Sequence, residues 1–170
     1  MKISLLCPFL SGNALGRAFF LAKVLERHYE VEIVGPVSDI GIWQPVKHEN
    51  CKYVGVNIKQ GWRNFGIIQS LLSQVTGDVI YASKPLLTSF GVGISGKFRN
   101  KTPLILDIDD WEYGAFFRWN MLQRLKSCLK LSTQRLDAYY PFTWFMYQLT
   151  SYADVVTVSS TFLQQKYGGT

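Results

Sequence analysis

Residues 103–112 read PLILDIDDWE, a run of branched apolar side chains that ends in a cluster of carboxylates and an indole. In open α/β sheets, side chains leave the core and meet ligand in the crevice beyond the carboxyl ends of parallel strands. Asp107 and Asp109 are two positions apart, so an extended chain points them to one side and Asp110 to the other. Carboxylates held close together raise one another's pKa unless a cation or a hydrogen-bond donor compensates. Asp109 and Asp110 are therefore the candidate catalytic groups, and Asp107 and Trp111 the candidate substrate contacts. The plainer alternative is that these acids cap the next helix and face solvent.

Two further segments carry groups suited to anions. SGNALG at 11–16 lies between a predicted strand and a predicted helix, where backbone N–H groups and the helix dipole can hold a phosphate. Gly12 and Asn13 are the candidate contacts there, and Arg17 in the first helical turn adds a fork of donors. The segment is not G-x-G-x-x-G, and no acid stands at the end of the second strand to meet a ribose, so dinucleotide binding has little support. An ordinary tight turn with an exposed arginine is the alternative. Lys84 follows the fourth predicted strand on the same sheet edge as the acids. It is placed to pair with Asp109 or to face a phosphate, although most single loop lysines are simply solvated.

The elements that must position these groups alternate along the chain. Strands are predicted at 2–7, 30–35 (ended by Pro36), 52–56, 78–83, 103–109 and 153–160. Helices are predicted from Asn13, as N-cap, through about His28, from Trp62 to Val75, from Leu86 to Phe98, and over the final TFLQQKY, stopping at Gly168. Arg27 and His28 fall in the last turn of the first helix, where positive charge suits the dipole. Gly91, Gly93 and Gly96 weaken their helix but let backbones approach closely. Such alternation predicts an α/β fold: a Rossmann-like, mainly parallel sheet with helices on both faces.

The chain of 170 residues fits one domain with a real core. It is 48% hydrophobic, 15% aromatic and only 18% charged, too oily for a disordered segment. The excess of apolar residues points to a partner domain or a membrane. Net charge is +6, which favours anionic partners. Cys7, Cys51 and Cys128 are odd in number and far apart, so they read as reduced thiols of a cytoplasmic protein and not as a disulfide frame or zinc site. The start MKISLLCPFL is broken by Pro8 and reads as a strand, not a signal peptide. Nothing approaches the ~18 uninterrupted apolar residues of a membrane span.

Between about 113 and 151 a helical insertion interrupts the alternation. Residues 113–136 contain Arg118, Arg124, Lys126, Lys130 and Arg135 and no acid. At helical spacing Phe117, Met121, Leu122, Leu125, Cys128 and Leu129 share one arc, with Trp119, Lys126 and Lys130 beyond one margin and Arg124 beyond the other. An apolar arc flanked by cations and an indole suits a helix lying in an anionic membrane surface. The candidate membrane contacts are thus Phe117, Arg118, Trp119, Arg124, Lys126 and Lys130, with peripheral attachment on the inner face of the membrane. An ordinary surface helix covering the sheet is the alternative. YYPFTWFMYQL at 139–149 is expected to pack against this helix or to extend the same patch. Nucleic acid is the weakest partner, because the positive charge clusters with Leu and Phe and no recognition motif accompanies it.

Taken in order, KISLLCPFLSGNALGRAFFLAKVLERHYEVEIVGP (2–36), DVIYASKPLLTSFGVGI (78–94), PLILDIDDWE (103–112) and ADVVTVSSTFLQQKYGG (153–169) resemble the N-terminal half of a glycosyltransferase family 4 enzyme of the GT-B fold. Residues 36–77 and 113–151 match less well. The resemblance implies that residues 1–170 form the acceptor-side domain of a retaining hexosyltransferase that uses no obligatory metal. The nucleotide-sugar donor would bind mainly a C-terminal domain or subunit absent from this chain. By the same resemblance, Gly12 and Asn13 correspond to the glycine-rich loop beside donor phosphates and acceptor. Asp107, Asp109 and Asp110 fall where the family often has His or Asp lining the acceptor pocket. This chain has no histidine there, since His28 and His48 lie elsewhere. The E-x7-E signature of the second domain is missing, so the chain alone is expected not to transfer sugar, and its partners are the donor-binding half and a sugar or lipid-linked acceptor. Two other readings stand beside this one. D-I-D at 107–109 has the spacing of a metal-binding D-x-D motif of GT-A enzymes. The basic insertion also suits a non-catalytic membrane-recruitment subunit of a split enzyme.

Overall fold

The computed structural model describes residues 1–58, 66–112, 114, 122 and 140–170. β1 (Lys2–Leu6), α1 (Ala14–Leu25), β2 (Glu30–Val37), a 3-10 turn (Gln44–Val46) and β3 (Tyr53–Asn57) come first. Then follow α2 (Ile67–Leu72), β4 (Val79–Ser83), a π-type turn (Leu87–Gly91), α3 (Val92–Asn100) and β5 (Leu104–Ile108). The chain ends with α4 (Tyr140–Gln148), a second 3-10 turn (Thr150–Tyr152), β6 (Val155–Val158) and α5 (Thr161–Tyr167).

The strands form one six-stranded sheet in the order β3-β2-β1-β4-β5-β6, every neighbouring pair parallel. From β1 the chain runs outward to β3, crosses back, and runs outward the other way through β4, β5 and β6. The loops of β1 and β4 leave in opposite directions, which opens a crevice at their carboxyl ends. The fold is α/β and Rossmann-like, as the alternation of elements predicts.

Alternate strand residues serve two interiors, not a core and a solvent face, which is why these strands read as continuous apolar runs. Ile3, Leu5, Ile33 and Tyr81 pack with Leu15, Ala18 and Ala22 of α1. Leu6, Val34, Ile80, Leu104 and Leu106 pack with residues of α2, α3, α4 and α5 on the other face. Gly93 and Gly96 let α3 lie close to the sheet: a Cβ on them would stand 2.6 Å from Leu104 Cδ1 and 2.5 Å from Ile80 Cδ1.

Several boundaries differ from those read in the sequence. α1 stops at Leu25, whose carbonyl accepts the N–H groups of both His28 and Tyr29. Arg27 and His28 therefore lie past the helix and not in its last turn. β2 runs through Pro36 to Val37. Proline is tolerated because the turn after β1 uses its carbonyl, which accepts Leu10 N–H at 2.8 Å, and not the N–H it lacks. The helix predicted from Leu86 begins as a wide π-type turn. There the Thr88 hydroxyl donates to Pro8 O at 2.9 Å and the Ser89 hydroxyl to Lys84 O at 2.8 Å, tying the β4 loop to the β1 loop.

The 139–149 stretch yields α4, which buries Thr143, Met146 and Tyr147 and leaves Trp144 and Phe145 exposed. The basic segment with Phe117, Arg118, Trp119, Arg124, Lys126 and Lys130 lies outside the described residues. Among the described residues no helix is long and apolar enough to cross a membrane.

At the amino edge of the sheet, opposite the crevice, Glu32 is almost wholly buried. Its carboxylate accepts from Ser4 and Thr76 hydroxyls, both at 2.8 Å, and pairs with Lys2 at 2.7 Å and Lys52 at 3.4 Å. Nothing in the spacing of EVEIVG announces this clamp, because its partners come from β1 and from the chain before β3 and β4.

Candidate functional site

Asp107, the penultimate residue of β5, has its side chain fully buried on the α1 face of the sheet. Arg17 reaches it from the first turn of α1, donating from Nε to Oδ2 at 2.9 Å and from Nη2 to Oδ1 at 2.8 Å. Thr157 of β6 donates to the same carboxylate at 2.9 Å, and the Tyr81 hydroxyl lies 3.1 Å from the Thr157 oxygen. This forked pair joins residues 90 positions apart. It raises the Arg17 pKa above its ordinary value, the Asp107 hydrogen bonds outweighing burial. Two guanidinium nitrogens of Arg17 are thus committed to Asp107, whereas the sequence pattern had offered them to a phosphate.

Beyond Asp107 the strand ends at Ile108, and the alternation expected of Asp109 and Asp110 ends with it. Both now approach a single cation. Lys84, buried just after β4, places Nζ 2.5 Å from Glu112 Oε1, 3.4 Å from Asp109 Oδ1 and 3.7 Å from Asp110 Oδ2. Lys84 has φ +71°, in the left-handed region that costs a non-glycine residue of order 1 kcal/mol or more. Its backbone is fastened in that state: its N–H donates to Asp107 O at 2.8 Å, and its carbonyl accepts from Leu86 N–H at 2.9 Å and the Ser89 hydroxyl at 2.8 Å.

The acid turn is held with equal firmness. Tyr147 of α4, buried in the core, accepts Glu112 N–H and donates to Asp110 O, both at 3.0 Å. The Ser159 hydroxyl donates to Asp109 O at 2.5 Å. Asp110 is the exposed member of the group, its side chain 75% accessible against 19% for Asp109. Trp111 stands edge-on to Phe162 at 5.5 Å and carries Lys166 Nζ 3.6 Å from a ring centroid.

These surroundings shift the proton affinities. Burial pushes the Asp109 carboxyl up from its ordinary value; Lys84 opposes that shift and the carboxyls of Asp110 and Asp107 add to it. Burial works to lower the Lys84 pKa, but Glu112, Asp109 and Asp110 win and hold it above its usual value. A charged lysine therefore faces an acid with a raised proton affinity, an arrangement suited to general acid–base chemistry.

Gly12 and Asn13 open α1 one turn before Arg17, and their carbonyls accept Leu15 and Gly16 N–H at 3.0 Å. Asn13 occupies the N-cap position, with a helical backbone and no capping bond from its side chain. The loop before it is pinned to β2 by Leu10 N–H on Pro36 O at 2.8 Å and by Ser38 N–H on the Ser11 hydroxyl at 2.9 Å. Gly35 permits this approach, since a Cβ there would stand 2.5 Å from Cys7 O.

The fold brings Arg17, Lys84, Asp107, Asp109, Asp110 and Trp111 to the carboxyl edge of β4, β5 and β6, with Gly12 and Asn13 beside them through α1. The sequence pattern does not single out Glu112, although it stands in the same acidic run; a third carboxylate after the strand is the available signal. Tyr147 had no local signal, lying inside a uniformly apolar stretch. Among the described residues no group of His, Cys, Asp and Glu converges to hold a metal ion.

No family model matches this chain, and neither does any curated protein. Among solved structures the chain is similar to an alpha-glucosyltransferase (AGT) in complex with UDP, with a TM-score of 0.46 and 12% identity. That likeness covers 98% of this chain and 38% of the other, so the chain spans well under half the length of the structure it matches.

Proposed function

We propose that this chain is the acceptor-binding half of a retaining glycosyltransferase that moves a hexose from a nucleotide-sugar to a lipid-linked or polysaccharide acceptor. The donor is bound mainly by a C-terminal domain or subunit, and the chain alone does not transfer sugar. The observation that carries this reading is Asp109: a mostly buried acid of raised pKa, facing Lys84 at the edge of the sheet where such folds take ligand. The ordered resemblance of residues 2–36, 78–94, 103–112 and 153–169 to family 4 enzymes supports it.

In this reading the acceptor hydroxyl lies against Asp109. As its oxygen bonds to the anomeric carbon on the face from which the nucleotide diphosphate departs, so that configuration is retained, the proton passes to the Asp109 carboxylate and the bond from that carbon to the nucleotide diphosphate breaks. Lys84 steadies the charge on the acids, Arg17 positions Asp107, and Asp110 and Trp111 face the acceptor. The amides near Gly12 and Asn13 border the donor phosphates.

In the complete enzyme, Asp109→Asn lowers turnover at least tenfold, about 1.4 kcal/mol of barrier. The acid limb of the wild-type pH–rate profile falls at higher pH than an ordinary aspartate would give, because Asp109 must be ionised to accept a proton. Turnover unchanged by the substitution removes Asp109 from the chemistry. Calorimetric titration of the 170-residue chain with nucleotide-sugars yields no tight binding; a tight complex contradicts the division of labour.

The same reading places the enzyme on the cytoplasmic face of a membrane, with the basic stretch around Lys126 and Lys130 against anionic lipid. Charge reversal of both lysines is expected to reduce flotation with anionic liposomes. Flotation indifferent to that change and to salt rules out an electrostatic attachment.

A further inference from the structure

Lys84 is shared unequally among the carboxylates around it. Glu112 Oε1 takes its Nζ at 2.5 Å, whereas Asp109 Oδ1 is 3.4 Å away. That Asp109 oxygen is buried and, among the described residues, accepts no hydrogen bond. The inequality is built into two anchored stretches of backbone. On one side Lys84 is locked at positive φ by the bonds of its N–H and carbonyl. On the other side Tyr147 bridges Glu112 N–H and Asp110 O, and Ser159 secures Asp109 O. Only the flexible lysine stem is left to choose between acids.

We propose that Glu112 is a positioning residue of this site: by holding the Lys84 ammonium it keeps that cation off Asp109, so that one Asp109 oxygen stays open to a proton. Glu112 acts through Lys84 and touches no reacting atom. The charged groups that bear on Asp109 are Lys84 from the β4 loop, Asp107 and Asp110 from β5 and its turn, and Arg17 from α1. Burial and the neighbouring acids raise its proton affinity and Lys84 lowers it. A lysine drawn into full hydrogen-bond contact lowers it further, because charge-assisted bonds favour the ionised carboxylate. The inference takes its site from the reading of Asp109 as the proton acceptor. Its test involves no sugar transfer, so either idea can fail alone.

The test is a carbon-detected NMR titration of the Asp109 carboxyl in the 170-residue chain. In Glu112→Gln the freed lysine closes on Asp109, and its titration midpoint falls by about one pH unit. Glu112→Asp keeps the charge but is one methylene too short to hold Lys84, and the midpoint falls in the same direction. In a Lys84→Met background the midpoint is higher than in wild type, and adding Glu112→Gln shifts it little. A midpoint unmoved by Glu112→Gln and Glu112→Asp overturns the proposal. So does a fall that persists without Lys84, because Glu112 would then act as a charge alone. Amide spectra of each variant establish that it is folded; should Glu112→Gln unfold, Glu112→Asp decides the matter.

Discussion

Arg17→Met is expected to destabilise the chain by about 3 kcal/mol, the low end of the range for removing one partner of a buried ion pair. Asp107 keeps only 1% of its side chain in water and, among the described residues, would retain a single donor, the Thr157 hydroxyl. A carboxylate so placed has lost its cation and gained no solvent. The low end applies because 37% of the Arg17 side chain is accessible, which screens part of the attraction. Urea denaturation measures the effect as a lower midpoint with an unchanged slope. The double variant Arg17→Met/Asp107→Leu should recover much of the loss, since an apolar pair of similar volume leaves no charge stranded. If Arg17→Met alone is neutral, the fork between α1 and β5 does not hold them together.

Acid is expected to weaken the opposite edge of the sheet through Glu32. Burial pushes its carboxyl up, but the bonds from Lys2, Thr76 and Ser4 prevail and hold it down at about 2. The unfolded chain has an ordinary glutamate near ~4.3. Because the folded value is the lower, the stabilisation is complete above about pH 4.3 and is lost as pH falls toward 2. A separation of about two units corresponds to roughly 3 kcal/mol when fully developed. The comparison that isolates it is stability against pH for wild type and Glu32→Gln. The two curves should lie furthest apart near neutrality and converge in acid, other carboxyls contributing equally to both. Parallel curves would show that the clamp titrates no differently from the unfolded chain.

Both effects come from contacts that join distant parts of the chain, and they show how far the residues could be read. The apolar run of 103–108 was legible as a buried strand because parallel strands covered on both faces have no polar side. Its acidic tip was legible as a candidate site because carboxylates stay in a core only when paired, as Asp107 is by Arg17 and Thr157. Gly93 and Gly96 were legible as a close approach. Pro36 was misleading: as a strand terminator it is usually reliable, but here only its carbonyl is needed. The π-type turn at Leu87–Gly91 had no signal, since it depends on the Thr88 hydroxyl finding Pro8 O in the β1 loop and the Ser89 hydroxyl turning back to Lys84 O.

The candidate site divides in the same way. That Asp107, Asp109 and Asp110 gather at one edge follows from their place at and just after the end of a strand. Which cation each one meets does not follow, because sequence separation says nothing about the register of distant elements. Arg17 had the composition of a phosphate ligand and became the partner of Asp107 once α1, packed on β1 and β2, brought its side chain within reach of the end of β5. Glu112 meets Lys84 in an acidic loop whose backbone is held by Tyr147, a residue 35 positions further on.

By itself, then, the order of apolar and polar residues determined that strands and helices alternate, that the sheet is parallel and that acids crown its fifth strand. Periodicity and side-chain hydration act locally and leave their mark on neighbouring positions. Tertiary structure alone decided the order β3-β2-β1-β4-β5-β6, the pairing of Arg17 with Asp107, and the division of Lys84 between Glu112 and Asp109. Those depend on where separate elements come to rest against each other, and electrostatic partners are chosen only after packing has set the distances.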